Sequence, residues 1–393
     1  MSSFKRINRA MLAGGFSAFA LLYCVQPLMP QLALQFGLTP AQSSWSLSIA
    51  TLALALSLVL SGALSERIGR KRLMAAALIG AALVTLLSAF ARNFTELLVL
   101  RALLGVALGG MPAVAMAYLS EEIAPPKLGL AMGLYIGGTA LGGMAGRVAA
   151  CVISDYYSWR LAMAVMGVAG LAAAWEFWRC LPASRNFKGI SGGWAALLRG
   201  AHGHLRDAGL PWLFVLGFLL MGVFVSLYNY IGYRLLAAPF GLGQGAVGLM
   251  SVLYLIGMGS AVWAGRLADR IGRRNVLWFV MLLMLAGLLL TLSNALPLIV
   301  AGMALFTFGF FATHSVASSW VGMRARAPQE LASAMYLFFY YLGSSVLGSL
   351  CGTVWSAAGW PGVVSVLALA LAAAFLIALH LRALAPLPAC VPA

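Results

Sequence analysis

Apolar runs of about twenty residues recur along this chain between short polar stretches, and about twenty apolar residues is what one helix needs to cross a bilayer. The runs fall at roughly 10–29, 44–64, 73–91, 95–119, 129–153, 160–182, 210–235, 246–265, 275–293, 297–322, 331–357 and 361–381. They predict an all-α membrane protein with twelve transmembrane helices. Composition points the same way. Of 393 residues, 63% are hydrophobic and 9% charged, whereas a soluble domain is about half apolar and about a quarter charged. A soluble globular chain and a disordered one are both excluded. The 44 Gly and 15 Pro suit helices packed in lipid.

The 25 Lys and Arg outnumber the 9 Asp and Glu, giving a net charge of +16. In a soluble chain this excess would suggest nucleic acid. Here the loops account for it, and no nucleic-acid partner is expected. Twenty basic residues lie at the two ends and in the even-numbered loops. Three (Arg92, Arg160 and Arg234) lie in the other loops, and two (Arg101 and Arg147) lie inside runs. Basic residues collect on the cytoplasmic side, so both termini are expected in the cytoplasm of a cell whose inner membrane holds the chain. The first run follows Lys5, Arg6 and Arg9 but is too long for a cleaved signal segment. The longest polar stretch, 183–209, reads as a cytoplasmic linker between residues 1–182 and 210–393, with an interfacial helix near Trp194–Arg199. His202 and His204 read as part of a solvated loop, with too few ligands nearby for a metal. The five Cys form no C-x-x-C pair and read as small buried hydrophobes.

The two halves repeat. Gly62-Ala-Leu64-Ser-Glu66-Arg67-Ile68-Gly69-Arg70-Lys71 follows the second run. Gly265-Arg-Leu267-Ala-Asp269-Arg270-Ile271-Gly272-Arg273-Arg274 follows the eighth. Ala124-Pro125 and Ala327-Pro328 keep the same offset, as do Ala131-Met132 and Ala334-Met335. An even number of spans per repeat gives both halves one orientation, a six-plus-six duplication about an axis along the membrane normal. With two copies of G-x-L-[SA]-[DE]-R-x-G-R-[KR] at equivalent places, the whole chain resembles the major facilitator superfamily, itself a standard example of transporters built from such repeats. The resemblance implies two six-helix bundles related by a pseudo-two-fold axis, with substrate bound between them near the bilayer midplane. Gln26-Pro27-Leu-Met-Pro30, Gly142-Gly143-Met-Ala-Gly146-Arg147 and Thr313-His314-Ser315 resemble the drug/proton-antiporter-like branch that includes arabinose-efflux-type permeases. That implies efflux driven by a proton gradient, with no cofactor.

In the loop motif, Gly62 and Gly265 would let a helix approach a neighbour closely. Gly69 and Gly272 would permit a turn at φ > 0. Glu66 and Asp269 would pair with Arg67, Arg70, Arg270 or Arg273, or sit at a helix N-terminus. The resemblance implies that this cluster locks the cytoplasmic side, while topology alone would explain the arginines. Arg101 resembles the R-x-x-x-G motif often tied to proton coupling. A charge inside a span is costly and functional by default, although Arg101 could also snorkel to the surface. Arg147 reads either as a structural ion pair with Asp155, eight residues on, or as a substrate anchor. His314, the only His in a span's interior, suits proton movement or a hydrogen bond to substrate, against a purely structural role.

None of the nine acidic residues lies mid-span. The cavity is therefore expected to be lined by neutral polar and aromatic groups plus Arg. Candidates are Tyr23, Gln26, Tyr228, Asn229, Tyr233, Tyr336, Tyr340 and Ser344, some of which an aromatic belt could claim instead. An anionic or neutral small molecule fits such a cavity better than a lipophilic cation. The expected function is a secondary transporter working as a monomer by alternating access, with proton-coupled efflux. An importer of the same fold and a transport-inactive receptor remain as alternatives. A membrane enzyme would need clustered carboxylates, His or a metal site, and a P-loop for ATP is absent from the sequence.

Overall fold

The computed structural model describes residues 3–184, 193–325 and 329–384. α1 (Ser3–Tyr23) leads through a 3-10 turn (Gln26–Leu28) into α2 (Met29–Phe36). α3 (Pro40–Ile68) and α4 (Arg70–Ser88) each cross once, and α5 (Phe94–Leu108) with α6 (Pro112–Glu122) makes one further crossing. α7 (Pro125–Tyr156) and α8 (Trp159–Cys180) complete the first half. α9 (Gly193–Leu205) lies in the linker, ahead of α10 (Leu210–Leu236). α11 (Gln244–Leu249) with α12 (Tyr254–Ile271), then α13 (Arg273–Leu290), α14 (Leu296–Arg324) and α15 (Gln329–Ala383) make the second half.

Among the described residues, eleven stretches are long and apolar enough to cross a membrane, and the last, Leu331–Ala383, has 53 residues. At 1.5 Å per residue it would run about 80 Å, well over twice a hydrocarbon core of about 30 Å. Gly359 breaks it at φ 60°, ψ −154°, with Pro361 just beyond. Past the break, the Trp360 indole donates to Thr291 O beyond the end of α13 (3.0 Å). Further on, the His380 ring lies 5.0 Å from Trp212 near the start of α10. So α15 crosses, turns at Gly359 and returns, which makes the twelve crossings the apolar pattern predicts.

Local sequence explains where helices stop. Pro27 and Pro30 lack amide donors, and α1 gives way to the 3-10 turn there. Thr39 starts α3 with a full capping box to Gln42. Gly69 (φ 92°, ψ 141°) ends α3 and starts α4, and Gly272 (φ 88°, ψ 142°) does the same between α12 and α13. The repeat thus reproduces one glycine-dependent turn twice. Two of the basic residues on the face away from the termini serve helix ends. Arg160 donates to Ala89 O and Ala91 O past α4. Arg234 donates to Thr291 O and Ser293 O past α13. Cations are favoured where carbonyls are left over.

Lipid supplies no hydrophobic drive between helices, so close packing of small residues has to hold them. α7 lies tight on α1, where a Cβ on Gly142 would sit 2.0 Å from Phe16 O. α10 packs on α15, and α14 on both α12 and α13. The halves touch through α3 with α15 and through α7 with α11 and α12. In the linker, α9 extends past the expected 194–199. It takes in His202 and His204, and His204 is 4% exposed. The reading of both as a solvated loop is therefore corrected in part: both lie on a helix, where His202 is exposed as expected and His204 is on the covered face.

Candidate substrate cavity

A cavity of about 550 Å³ lies between the halves, walled by α1, α5–α6, α7, α10, α12, α14 and α15. It reaches from Tyr23 and Arg147 toward the termini side, as far as Val321 and Ser333. Tyr23, Arg147, His314, Tyr336 and Tyr340, all expected from the sequence, line it together.

Arg147 closes the cavity at the end away from the termini and is 3% exposed. Long helical side chains lean toward the helix N-terminus. Accordingly its Nη1 donates to Gly143 O one turn back (2.6 Å), and its Nε donates to Gln26 Oε1 (2.6 Å). The guanidinium lies 4.2 Å from the Tyr23 ring and 5.0 Å from that of Tyr254, a cation between two aromatic faces. The Tyr23 and Tyr254 hydroxyls are buried and make no hydrogen bond. The expected ion pair with Asp155 is absent. Eight residues are about 12 Å along a helix, and the two side chains part. Asp155, at the other end, accepts from the Gly245 amide (3.1 Å) instead. Among the described residues, none of the ion pairs involves Arg147.

His314 Nδ1 lies 2.9 Å from Tyr336 Oη, with the Tyr340 ring 4.7 Å away and the Phe310 ring stacked at 6.0 Å. Behind Arg147 is a smaller space of about 20 Å³, lined by Gln26, Tyr228 and Asn229 among others. These three expected residues therefore sit beyond the main cavity. The Gln26 amide donates to Asn229 Oδ1 (2.7 Å) and Val225 O (3.3 Å) in the second half. Tyr228 bonds Thr307 (2.9 Å). Tyr233 is further out, 2.5 Å from Ser43 Oγ, where the halves meet. Ser344 is buried and its hydroxyl has no partner.

Arg101 also departs from expectation: it neither snorkels nor lines the cavity. It is fully buried behind α1. Its guanidinium donates to Ser46 O (2.8 Å), Leu21 O (3.3 Å) and Leu22 O (2.5 Å). The last two are carbonyls that the break near Pro27 deprives of amide partners. Irregular backbone at membrane depth is tolerated only where such groups are satisfied.

The loop motif divides. Arg70 makes a two-point pair with Glu121 at the end of α6 (2.8 and 2.5 Å) and donates to Ser65 (2.9 Å). The Glu66 and Gly62 side positions lie outside the described residues. In the second copy Arg273 reaches Asp269 (3.2 Å) and Ser319 (3.1 Å). Arg67 and Arg270 are exposed. A Cβ on Gly265 would meet only Ser315 Oγ at 3.9 Å, so the expected close approach is not there. Among the described residues neither copy bonds across the halves. The repeat mate of Glu121 is Arg324, which pairs with Asp207 (2.5 Å). Burial alone would raise the Asp207 carboxyl. Bonds from Arg324 and from the Gly209 and Leu210 amides outweigh it and hold Asp207 below its ordinary value.

Glu121, Asp207 and Tyr254 escape a sequence reading. The two acids lie among loop charges, and only the 203-residue offset from Glu121 to Arg324 marks them. Tyr254 is a lone tyrosine in an apolar run, with no period to give its face.

The profile of the Major Facilitator Superfamily matches residues 11–234. The inner membrane transport protein YnfM of Escherichia coli (strain K12) is 50% identical over 96% of this chain and 91% of its own length. The uncharacterized MFS-type transporter YybF of Bacillus subtilis (strain 168) is 46% identical over 93% and 90%. Among solved structures, the nucleoside transporter NupG superposes with a TM-score of 0.80 at 14% identity, over 95% of this chain and 99% of that one. An inward-facing, unoccupied bacterial homolog of the human lysosomal transporter Spinster gives 0.76 at 14%, over 98% and 96%. With twelve crossings around a central cavity, this chain is a multi-pass membrane transporter and belongs to the major facilitator superfamily.

Proposed function

We propose that this chain exports a small organic anion by proton-coupled alternating access, with Arg147 as the substrate anchor. The observation that carries this reading is a buried guanidinium at the cavity's end with no carboxylate among the described residues in ion-pair distance, flanked by two unpartnered phenols. A buried cation without an anion is expensive. A carboxylate accepting two parallel bonds from the fork relieves that cost, and the aromatic walls suit an apolar body on the substrate. A cationic substrate would meet like charge. Efflux and proton coupling rest on the resemblance to the antiporter-like branch. The basic bias of the termini side supports both ends in the cytoplasm, and YnfM, an inner membrane protein by name, supports that membrane. In this reading a single chain works by rocking its two six-helix bundles.

A thermal-shift screen of purified protein against organic acids, sugars, nucleosides and cationic drugs tests the reading, since a ligand that binds only the folded state raises its melting point. Anions should give the largest shifts. Arg147→Ala should weaken binding of the best anion by about 100-fold and Arg147→Lys by about tenfold, because Lys keeps charge but loses the fork. Tighter binding of a quaternary ammonium compound than of any anion refutes the reading.

His314 is the proposed proton carrier. The groups facing it are Tyr336, Tyr340 and Phe310, none of them acidic. Transport into proteoliposomes should vary with pH, and His314→Ala should flatten that variation. A profile of unchanged shape in His314→Ala removes His314 from the coupling path.

A further inference from the structure

We infer that Gln26 and Asn229 form a ligand-sensed latch on the side away from the termini, with Gln26 as the positioning residue between the cavity and that seal. The inference rests on the reading of Arg147 as an anion anchor.

The halves meet on that side through a ladder of hydrogen bonds. Thr51 and Ser345 lie 2.7 Å apart, Ser349 reaches Ser48 (3.0 Å), and Ser43 bonds Tyr233 (2.5 Å). Gln244 donates to Pro27 O, and the Gly245 amide to Asp155 (3.1 Å). Among the described residues, Gln26 alone of these bridging groups is held by a side chain that lines the cavity, through Arg147 Nε. Every other rung is out of a ligand's reach. Gln26 and Asn229 also stand 203 positions apart, the offset of the sequence repeat. They are therefore matching positions of the two halves, and they meet face to face.

The guanidinium chemistry makes this contact competitive. Arg147 Nη1 is engaged by Gly143 O, and Nε by the neutral Gln26 oxygen. A carboxylate taking the side-on fork, Nε with Nη2, displaces Gln26 Oε1, because it accepts two parallel bonds and brings a negative charge, where the amide oxygen accepts one and brings none. Gln26 Oε1 then loses the Arg147 donor that holds it. The arrangement that satisfied both its ends, Arg147 on one and Asn229 on the other, is lost. Anion binding and release of the far side thus become one event.

The test uses Ser44→Cys in the full-length chain. Ser44 is fully buried on α3, where the halves meet. Labelling by a membrane-impermeant thiol reagent is followed in proteoliposomes and compared with the same protein keeping Ser44. Benzoate, a carboxylate on an apolar ring, is the probe. Without ligand, Gln26→Leu and Asn229→Leu should each raise labelling of the introduced thiol at least about fivefold. With benzoate, labelling should rise in the parent and stay unchanged in Gln26→Leu. If both Leu variants label like the parent while folding normally, the latch is overturned. If benzoate raises the parent's melting point but not its labelling, the coupling is overturned and the anion reading stands. If neither benzoate nor any other anion binds, the anion reading fails, and the ligand-free variants still decide the latch.

Discussion

Arg101→Met should cost about 3–5 kcal/mol of stability, since each of three buried carbonyls left without a donor costs about 1–3 kcal/mol. Arg101 is fully buried and holds three carbonyls from two helices. Two of these belong to the end of α1, where Pro27 and Pro30 interrupt the ladder. Methionine nearly matches the volume of the side-chain stem but donates nothing, so Leu21, Leu22 and Ser46 lose their cationic donor in a dry interior. Arg101→Lys should fall between, since one ammonium cannot reach three carbonyls with the geometry of a planar fork. The measurement is the melting point and monodispersity of purified protein, with anion binding as a second readout. If Arg101 acted only in coupling, the Met variant would melt with the parent and bind ligand while failing to couple.

Glu121→Gln is expected to be the second most damaging change, at about 3 kcal/mol, by taking the charge of Glu121 out of its pair with Arg70. The side chains of Arg70 and Glu121 are 6% and 17% exposed, so water compensates little. The amide keeps the shape of the carboxylate and can accept one bond, but it carries no charge and turns a donor toward the guanidinium. Replacing both partners, Arg70→Met with Glu121→Met, should recover much of the loss, because removing a buried pair is milder than breaking it. Melting points of the single and double variants form the test. Equal stability of Glu121→Gln and the parent would show that Arg70 is paired mainly by other groups. Asp269→Asn in the second copy should do far less, since Asp269 is 69% exposed and exposed pairs contribute little.

Much of this protein is legible along the chain. Hydrophobicity is a property of each residue alone, and in lipid it must persist for the thickness of the bilayer. Twelve runs therefore mark twelve crossings, including two that one continuous helix assignment joins across Gly359. The repeat is legible for a related reason. The turn at Gly69 and Gly272 demands φ near 90°, which keeps the glycine in both copies and makes the duplication visible. The lack of any mid-span acid is likewise a fact of composition, and it already points the cavity toward anions or neutral solutes.

What the chain could not show are relations between side chains on different helices. Arg101 and Arg147 look alike in sequence, each a lone cation inside an apolar run, yet one fastens a broken helix and the other faces the cavity. The difference lies in which way each helix is turned and in where α1 breaks. Arg147 and Asp155 share a helical face but lean apart, because side-chain direction outweighs spacing. Glu121 meets Arg70, and Gln26 meets Asn229, only after the helices have packed. Such pairings depend on many residues at once, whereas a bilayer span depends on local hydrophobicity. Sequence alone therefore determined the number of crossings, the duplication and the sign of the cavity's charge. Tertiary structure decided which charge holds the fold and which faces the cavity.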